Sequence, residues 1–218
     1  MASRGAPDLY AVTGGGLDLV AAIAAACAAG LGWVQVREKH LPPRELLAFA
    51  RAVVRAAAPF GSRVLVNDRA DIAVLAGAHG VHLSEGSVSA AEIRATFPDL
   101  LVGASVHGLE RARAAAADGA DFVVFGPVFD TPSKRDFGEP QGLFALTEVV
   151  TQVGVPVVAI GGIGPGEVAS CLAAGARGVA AIRGLLGVGD VTAVAAAVGA
   201  YRRALGFGAM LAASRRRR

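Results

Sequence analysis

Eight short apolar runs, each followed by a turn and then a helical stretch, constrain this chain more than any other feature. The runs are 9–13, 33–37, 63–67, 80–83, 101–105, 122–126, 155–160 and 178–182. Strands that are apolar without alternation are buried on both faces, the mark of a parallel sheet covered by helices. The stretches 18–29, 43–58, 71–76, 90–97, 110–118, 143–153, 166–174 and 191–205 carry Ala, Leu and Arg in helical patterns. Eight such units in 218 residues predict an α/β fold, a single (β/α)8 TIM barrel. The barrel is expected to span 1–218 as one domain, ending in a disordered basic tail at about 214–218. An open doubly wound sheet is the competing arrangement, but the Thr13-Gly14-Gly15-Gly16 turn lacks the GxGxxG spacing of its phosphate site.

The core must be built from aliphatic side chains, because 54% of residues are hydrophobic and only 6% aromatic. The net charge of +3 is smaller than the contribution of residues 215–218, all arginine, so the basicity belongs to the tail. No basic stripe interleaved with aromatics is visible, which argues against nucleic acid as a partner. Cys27 and Cys171 have no CxxC spacing, and the first ten residues lack the apolar core of a signal peptide. A reduced, cytoplasmic protein is expected. The uncharged run 19–36 is near the length of a membrane span. It is rich in Ala, is broken by Gly30 and Gly32, and reads as a buried helix followed by a strand; no membrane association is expected.

In a barrel, functional residues cluster at the C-terminal ends of the strands. The unusual polar residues of this chain fall there. Run two ends at Gln35, Arg37, Glu38 and Lys39; run three at Asn67, Asp68 and Arg69; run four at His82, Ser84 and Glu85. Run five ends at Ser105 and His107, run seven at Gly161 and Gly162, run eight at Ile182 and Arg183. Run six opens the segment DFVVFGPVFDTPSK (121–134), which carries Thr131, Ser133 and Lys134 beyond the strand. Each has a plainer role available: solvated charge, helix cap, structural histidine or tight turn. Their shared placement on one rim favours a site. Arg37, Lys39, Lys134 and Arg183 bring four cations to one mouth, which suits more than one phosphate group. Glycines after runs seven and eight let backbone N–H groups approach a phosphate. Asp68 suits Mg2+, which takes one or two carboxylates plus phosphate oxygens and waters.

On these motifs the chain resembles the thiamine phosphate synthase family, which includes the TenI-type thiazole tautomerases. The motifs are VQVREK (34–39), VNDR (66–69), GVHL (80–83), GASVH (103–107), GADFVVFGPVFDTPSK (119–134), AIGGI (159–163) and GARGVAAIRGL (175–185). The resemblance implies condensation of an aminopyrimidine methyl diphosphate with a thiazole phosphate, giving thiamine phosphate and pyrophosphate. It implies that Gln35, Arg37 and Lys39 hold the pyrimidine diphosphate with Asn67 beside them, and that Asp68 holds Mg2+. Ser105 and Lys134 would meet the pyrophosphate, so that Lys134, Ser105 and Arg37 form the catalytic set. Thr131, Ser133, Gly162, Ile182 and Arg183 would bind the thiazole phosphate.

Departures from the pattern point elsewhere. Ser87 stands where a second Mg2+-binding Asp belongs, with Glu85 a partial substitute, and Arg183 replaces a phosphate-binding Ser. The segment 83–98 resembles the TenI branch, in which His107 or Glu85 would shuttle protons in a tautomerisation. Pro127 resembles the synthases instead. A non-catalytic thiazole-phosphate binder is a third reading. Small barrels with apolar outer helices often associate, so a homodimer is expected.

Overall fold

The computed structural model describes residues 5–15, 19–131 and 139–215. All eight apolar runs form strands: β1 (Leu9–Val12), β2 (Trp33–Val36), β3 (Arg63–Asn67), β4 (Gly80–Leu83), β5 (Leu101–Val106), β6 (Phe122–Phe125), β7 (Val157–Ile160) and β8 (Gly178–Ala181). Each pairs in parallel with the next, and β1 pairs with β8 through Tyr10↔Ala180, closing the barrel. The expectation of a (β/α)8 barrel is met. The helices between strands are α1 (Leu19–Ala28), α2 (Pro43–Ala57), α3 (Ala70–Ala76), α4 (Ala90–Thr96), α5 (Leu109–Ala117), α6 (Gly142–Gln152) and α7 (Val168–Ala173), with α8 (Arg183–Leu186) and α9 (Val191–Arg215) after β8. The uncharged run 19–36 divides into α1 and β2, and no described helix is long and apolar enough to cross a membrane.

Local chemistry explains several boundaries. Pro43 opens α2, where its missing N–H costs nothing. At α4, Ser89 accepts from the Glu92 N–H while the Glu92 carboxylate accepts from the Ser89 N–H. β7 starts at Val157 rather than at 155, because Pro156 has no N–H for the ladder. The turn of helix α8 was not expected; Leu185 and Leu186 within it are both buried. α9 runs past the expected stop at 205 despite Gly206 and Gly208. A Cβ on Gly208 would lie 2.7 Å from Leu172 Cδ1, so this glycine lets α9 press closely against α7.

Alternation along the strands divides the core in two. Leu9, Val34, Val64, Val81, Val102, Val123, Val157 and Val179 face outward and pack with the buried faces of the helices. Tyr10, Trp33, Leu65, Leu101, Phe122, Val124, Val158 and Ala180 face inward and fill the barrel. Three aromatics lie inside: Tyr10, Trp33 and Phe122 meet edge to face, with ring centroids 5.8 to 6.5 Å apart. Gly103 makes this packing possible, since a Cβ there would lie 2.5 Å from the Phe122 ring and 2.8 Å from His82 Nδ1. Cys27 and Cys171 are buried in α1 and α7, and burial pushes the Cys171 thiol up to about 12.

Candidate active site

Strand register brings the polar residues from β2 to β5 into two linked chains above the aromatic plug. The first runs along the rim. Gln35 Nε2 donates to Asn67 Oδ1 at 2.8 Å, and Asn67 Nδ2 donates to Asp68 Oδ2 at 2.8 Å. Ser84 completes the cradle: its N–H donates to Asp68 Oδ1 at 2.6 Å and its hydroxyl to Oδ2 at 2.8 Å. Asp68 sits in the left-handed region with φ 56°, and its own N–H donates to the His82 carbonyl at 2.9 Å. Such a backbone conformation is tolerated by Asp better than by most residues. The carboxylate thus accepts three hydrogen bonds of about four it can take, leaving room on Oδ1 for a further ligand.

The second chain descends into the barrel. Ser105 Oγ lies 2.9 Å from His82 Nε2, and the Tyr10 hydroxyl lies 3.3 Å from His82 Nδ1. His82 is only 1% exposed, and burial lowers its pKa to about 4, with nearby Arg37 acting in the same direction and Asp68 against it. Burial likewise raises the Tyr10 phenol well above its ordinary value. His82 is therefore a neutral, fully bonded ring at neutral pH, in line with the structural role available to it from sequence.

Of the run Arg37-Glu38-Lys39, only part is solvated. Lys39 is exposed and Arg37 half-buried, whereas Glu38 is 6% exposed and accepts from the Gly15 N–H at 3.2 Å. The Arg37 N–H donates to Thr13 Oγ1 at 2.8 Å, which ties the end of β2 to the end of β1. Thr13, Ser84 and Glu38 position neighbours. Ser84 and Glu38 stand among the polar strand ends, but no local pattern shows which groups the three hold, because their partners lie 16 to 24 residues away.

Across the mouth, the loops after β6, β7 and β8 form a glycine-rich corner. Val128 and Phe129 donate to the carbonyls of Ile160 and Gly161, stitching the β6 loop to the end of β7. Gly161 and Gly162 both have positive φ, and a Cβ on Gly162 would meet the Asp130 carbonyl oxygen at 2.4 Å. Arg183 Nη2 reaches Thr131 Oγ1 at 3.5 Å, so two of the selected phosphate-corner residues are neighbours. Tyr201 of α9 braces this corner from beneath: its hydroxyl donates to the Ile163 carbonyl at 2.7 Å, and a Cβ on Gly184 would lie 2.5 Å from it. Ile182 and Arg183 are exposed at the end of β8. Ser133 and Lys134 lie outside the described residues.

Glu85 and His107 are also brought together, with Glu85 Oε2 2.7 Å from His107 Nδ1. Arg111 claims the same carboxylate, donating to Oε1 at 3.1 Å and to the Glu85 carbonyl at 2.6 Å. Ser87 closes the β4 turn by donating its N–H to the Ser84 carbonyl at 3.0 Å. It is Ser84 that bonds to Asp68. Among the described residues, no three His, Cys, Asp or Glu side chains stand together as a metal cage.

Known proteins resemble this chain over most of its length. The family model for thiamine monophosphate synthase matches residues 9–185. A thiamine-phosphate synthase from Anaeromyxobacter dehalogenans is 47% identical over 189 residues, covering 86% of this chain and 84% of its own. Another from Methanoculleus marisnigri is 45% identical over 193 residues, covering 86% and 92%. The solved thiamine phosphate pyrophosphorylase from Pyrococcus furiosus superposes with a TM-score of 0.84 at 30% identity, covering 92% of this chain and 96% of that one.

Proposed function

Because the chain belongs to the thiamine monophosphate synthase family, we propose that it joins an aminopyrimidine methyl diphosphate to a thiazole phosphate and releases pyrophosphate. The observation that carries the reading is the two-sided mouth. A polar cradle of Gln35, Asn67, Asp68 and Ser105 faces a glycine corner that holds Thr131, Gly162 and Arg183. One side suits a diphosphate and its base, the other a second phosphate.

Breaking the C–O bond to pyrophosphate leaves a pyrimidine cation and concentrates negative charge on the departing oxygens. Catalysis is then chiefly electrostatic. Arg37, Lys39 and Lys134 offset that charge, and Ser105 donates a hydrogen bond to it. The Gln35–Asn67 bond presets both amides to read the edge of the pyrimidine. Thr131, Ser133, Gly162 and the Ile182–Arg183 backbone hold the thiazole phosphate, with the Arg183 side chain as its counter-charge. The cationic carbon is captured by the thiazole nitrogen, so no base need act before the cation forms.

The donor set fits Mg2+. Asp68 is oriented by Ser84 and Asn67 and retains an open position, and the rest of the coordination would come from phosphate oxygens and water. Bound there, Mg2+ would neutralise diphosphate charge. Ser87 in place of a second carboxylate predicts a higher Mg2+ requirement. A homodimer and a cytoplasmic location belong to the same reading.

The test is to supply both phosphorylated substrates with Mg2+ and follow thiamine phosphate and pyrophosphate. Absence of product at every Mg2+ concentration defeats the synthase reading. The Glu85–His107 contact favours a second reading, thiazole tautomerisation by proton shuttling. Supplying the thiazole carboxylate phosphate alone tests it. Binding of thiazole phosphate without turnover in either assay would leave the non-catalytic binder.

A further inference from the structure

We infer that Tyr10 and His82 form a one-way hydrogen-bond relay that fixes the Ser105 hydroxyl as a donor toward the barrel mouth. His82 is then a positioning residue for the handling of pyrophosphate. The inference rests on the proposed role of Ser105, and goes beyond it by naming what sets the direction of that hydroxyl.

The polarity follows from counting protons. The Tyr10 hydroxyl is fully buried, and among the described residues its one hydrogen-bond partner is His82 Nδ1. A phenol always carries a proton, so Tyr10 donates and Nδ1 accepts. The opposite assignment would leave a buried O–H without an acceptor, at the cost of its desolvation. With Nδ1 accepting, the ring proton sits on Nε2, which donates to Ser105 Oγ at 2.9 Å. Ser105 Oγ then has an acceptor site filled by histidine, and its own proton is free to point away from it. An anion at the mouth needs donors, and the relay supplies one whose orientation is set before the ligand arrives.

The surroundings hold the ring still. The Tyr10 and Phe122 rings lie 5.7 and 6.1 Å from it, centroid to centroid. The His82 carbonyl is bound by the Asp68 N–H, and Gly103 provides the space beside Nδ1. If the phenolic proton is removed, the imidazole is free to carry its hydrogen on Nδ1. Nε2 then accepts from Ser105 and turns the serine proton inward.

The decisive variant is Tyr10→Phe, which removes one oxygen and keeps the aromatic packing. Pyrophosphate affinity with Mg2+ present would be measured by calorimetry, alongside kcat and KM for both substrates. Tyr10→Phe is expected to weaken pyrophosphate binding by roughly 3–10-fold, the worth of one hydrogen bond. In a Ser105→Ala background the same change should have no further effect, because the relay ends at that hydroxyl. His82→Gln, whose amide N–H can stand in for Nε2, should retain more affinity than His82→Leu. Equal losses in both backgrounds, or no loss in the native background, overturn the relay. If the native protein makes no thiamine phosphate yet Tyr10→Phe weakens pyrophosphate binding through Ser105, the synthase reading falls and the relay stands. If it turns over normally and Tyr10→Phe does too, the reverse holds.

Discussion

Replacing Asp68 by Asn changes one oxygen to an amide nitrogen, and its consequences can be worked out bond by bond. Oδ1 would still accept from the Ser84 N–H, though without a full negative charge. The new amide nitrogen can occupy the Oδ2 position, where Asn67 Nδ2 and Ser84 Oγ both donate. Ser84 can turn its hydroxyl and accept. Asn67 cannot do so while its carbonyl receives Gln35 Nε2, so one donor faces another. Turning the new amide over would put its nitrogen against the Ser84 N–H instead. Loss of one hydrogen bond to a charged acceptor, with the others weakened, costs about 2–3 kcal/mol. For a chain of this length that lowers Tm by roughly 4–12 °C. Thermal unfolding followed by circular dichroism measures the change, and a Mg2+ titration of activity on the same protein measures the functional loss. The left-handed backbone at position 68 is compatible with Asn, so the loss can be assigned to the carboxylate. A variant that melts with the native protein would refute the claim that this carboxylate organises the rim.

Three further outcomes are expected. Gly162→Ala forces a Cβ to within 2.4 Å of the Asp130 carbonyl oxygen at φ 64°, which should separate the β6 and β7 loops. KM for the thiazole phosphate should rise by an order of magnitude or more while KM for the diphosphate substrate changes little, and equal effects on both would count against the corner assignment. The folded state should weaken on acidification. Below about pH 6.5 the unfolded chain takes up a proton that His82 refuses until about pH 4 in the folded one, at a cost approaching about 3 kcal/mol. His79, exposed but also lowered by desolvation and by nearby Arg63, adds in the same direction. Tm should therefore fall from pH 6.5 to pH 4, and His82→Gln should flatten the fall; a profile unchanged in the variant would refute the assignment. Finally, Arg183→Ala should reduce affinity for the thiazole phosphate by roughly 10-fold, since it removes a charge-assisted contact, and direct binding of that substrate is the check.

The barrel was legible because its signal is local. Burial on both faces selects Val, Leu, Ile and Phe within a single strand, so each run announces itself without its neighbours. Placement of Gln35, Asn67, Asp68, Ser105, Gly162 and Arg183 on one rim followed from strand order alone. The exceptions show where local reading ends. Pro156 trimmed β7 through a missing N–H. The helical pattern was read only to 205, whereas α9 continues to Arg215, and Gly208 serves a helix contact visible only when α9 lies on α7. Ser84 and Tyr201 carry no mark of their roles, because each acts on a residue from another strand or loop.

By itself, then, the sequence determined the class of fold, the rim on which the polar residues stand, and the family to which the chain belongs. Only the tertiary structure decided which of those residues touch. The register of the closed sheet brings His82 of β4 beneath Ser105 of β5, and closure of the barrel carries Tyr10 of β1 to the other side of the same ring, 72 residues away in the chain. Hydrogen bonds act over about 3 Å and depend on direction. Their partners are therefore set by packing geometry that no stretch of the chain contains alone.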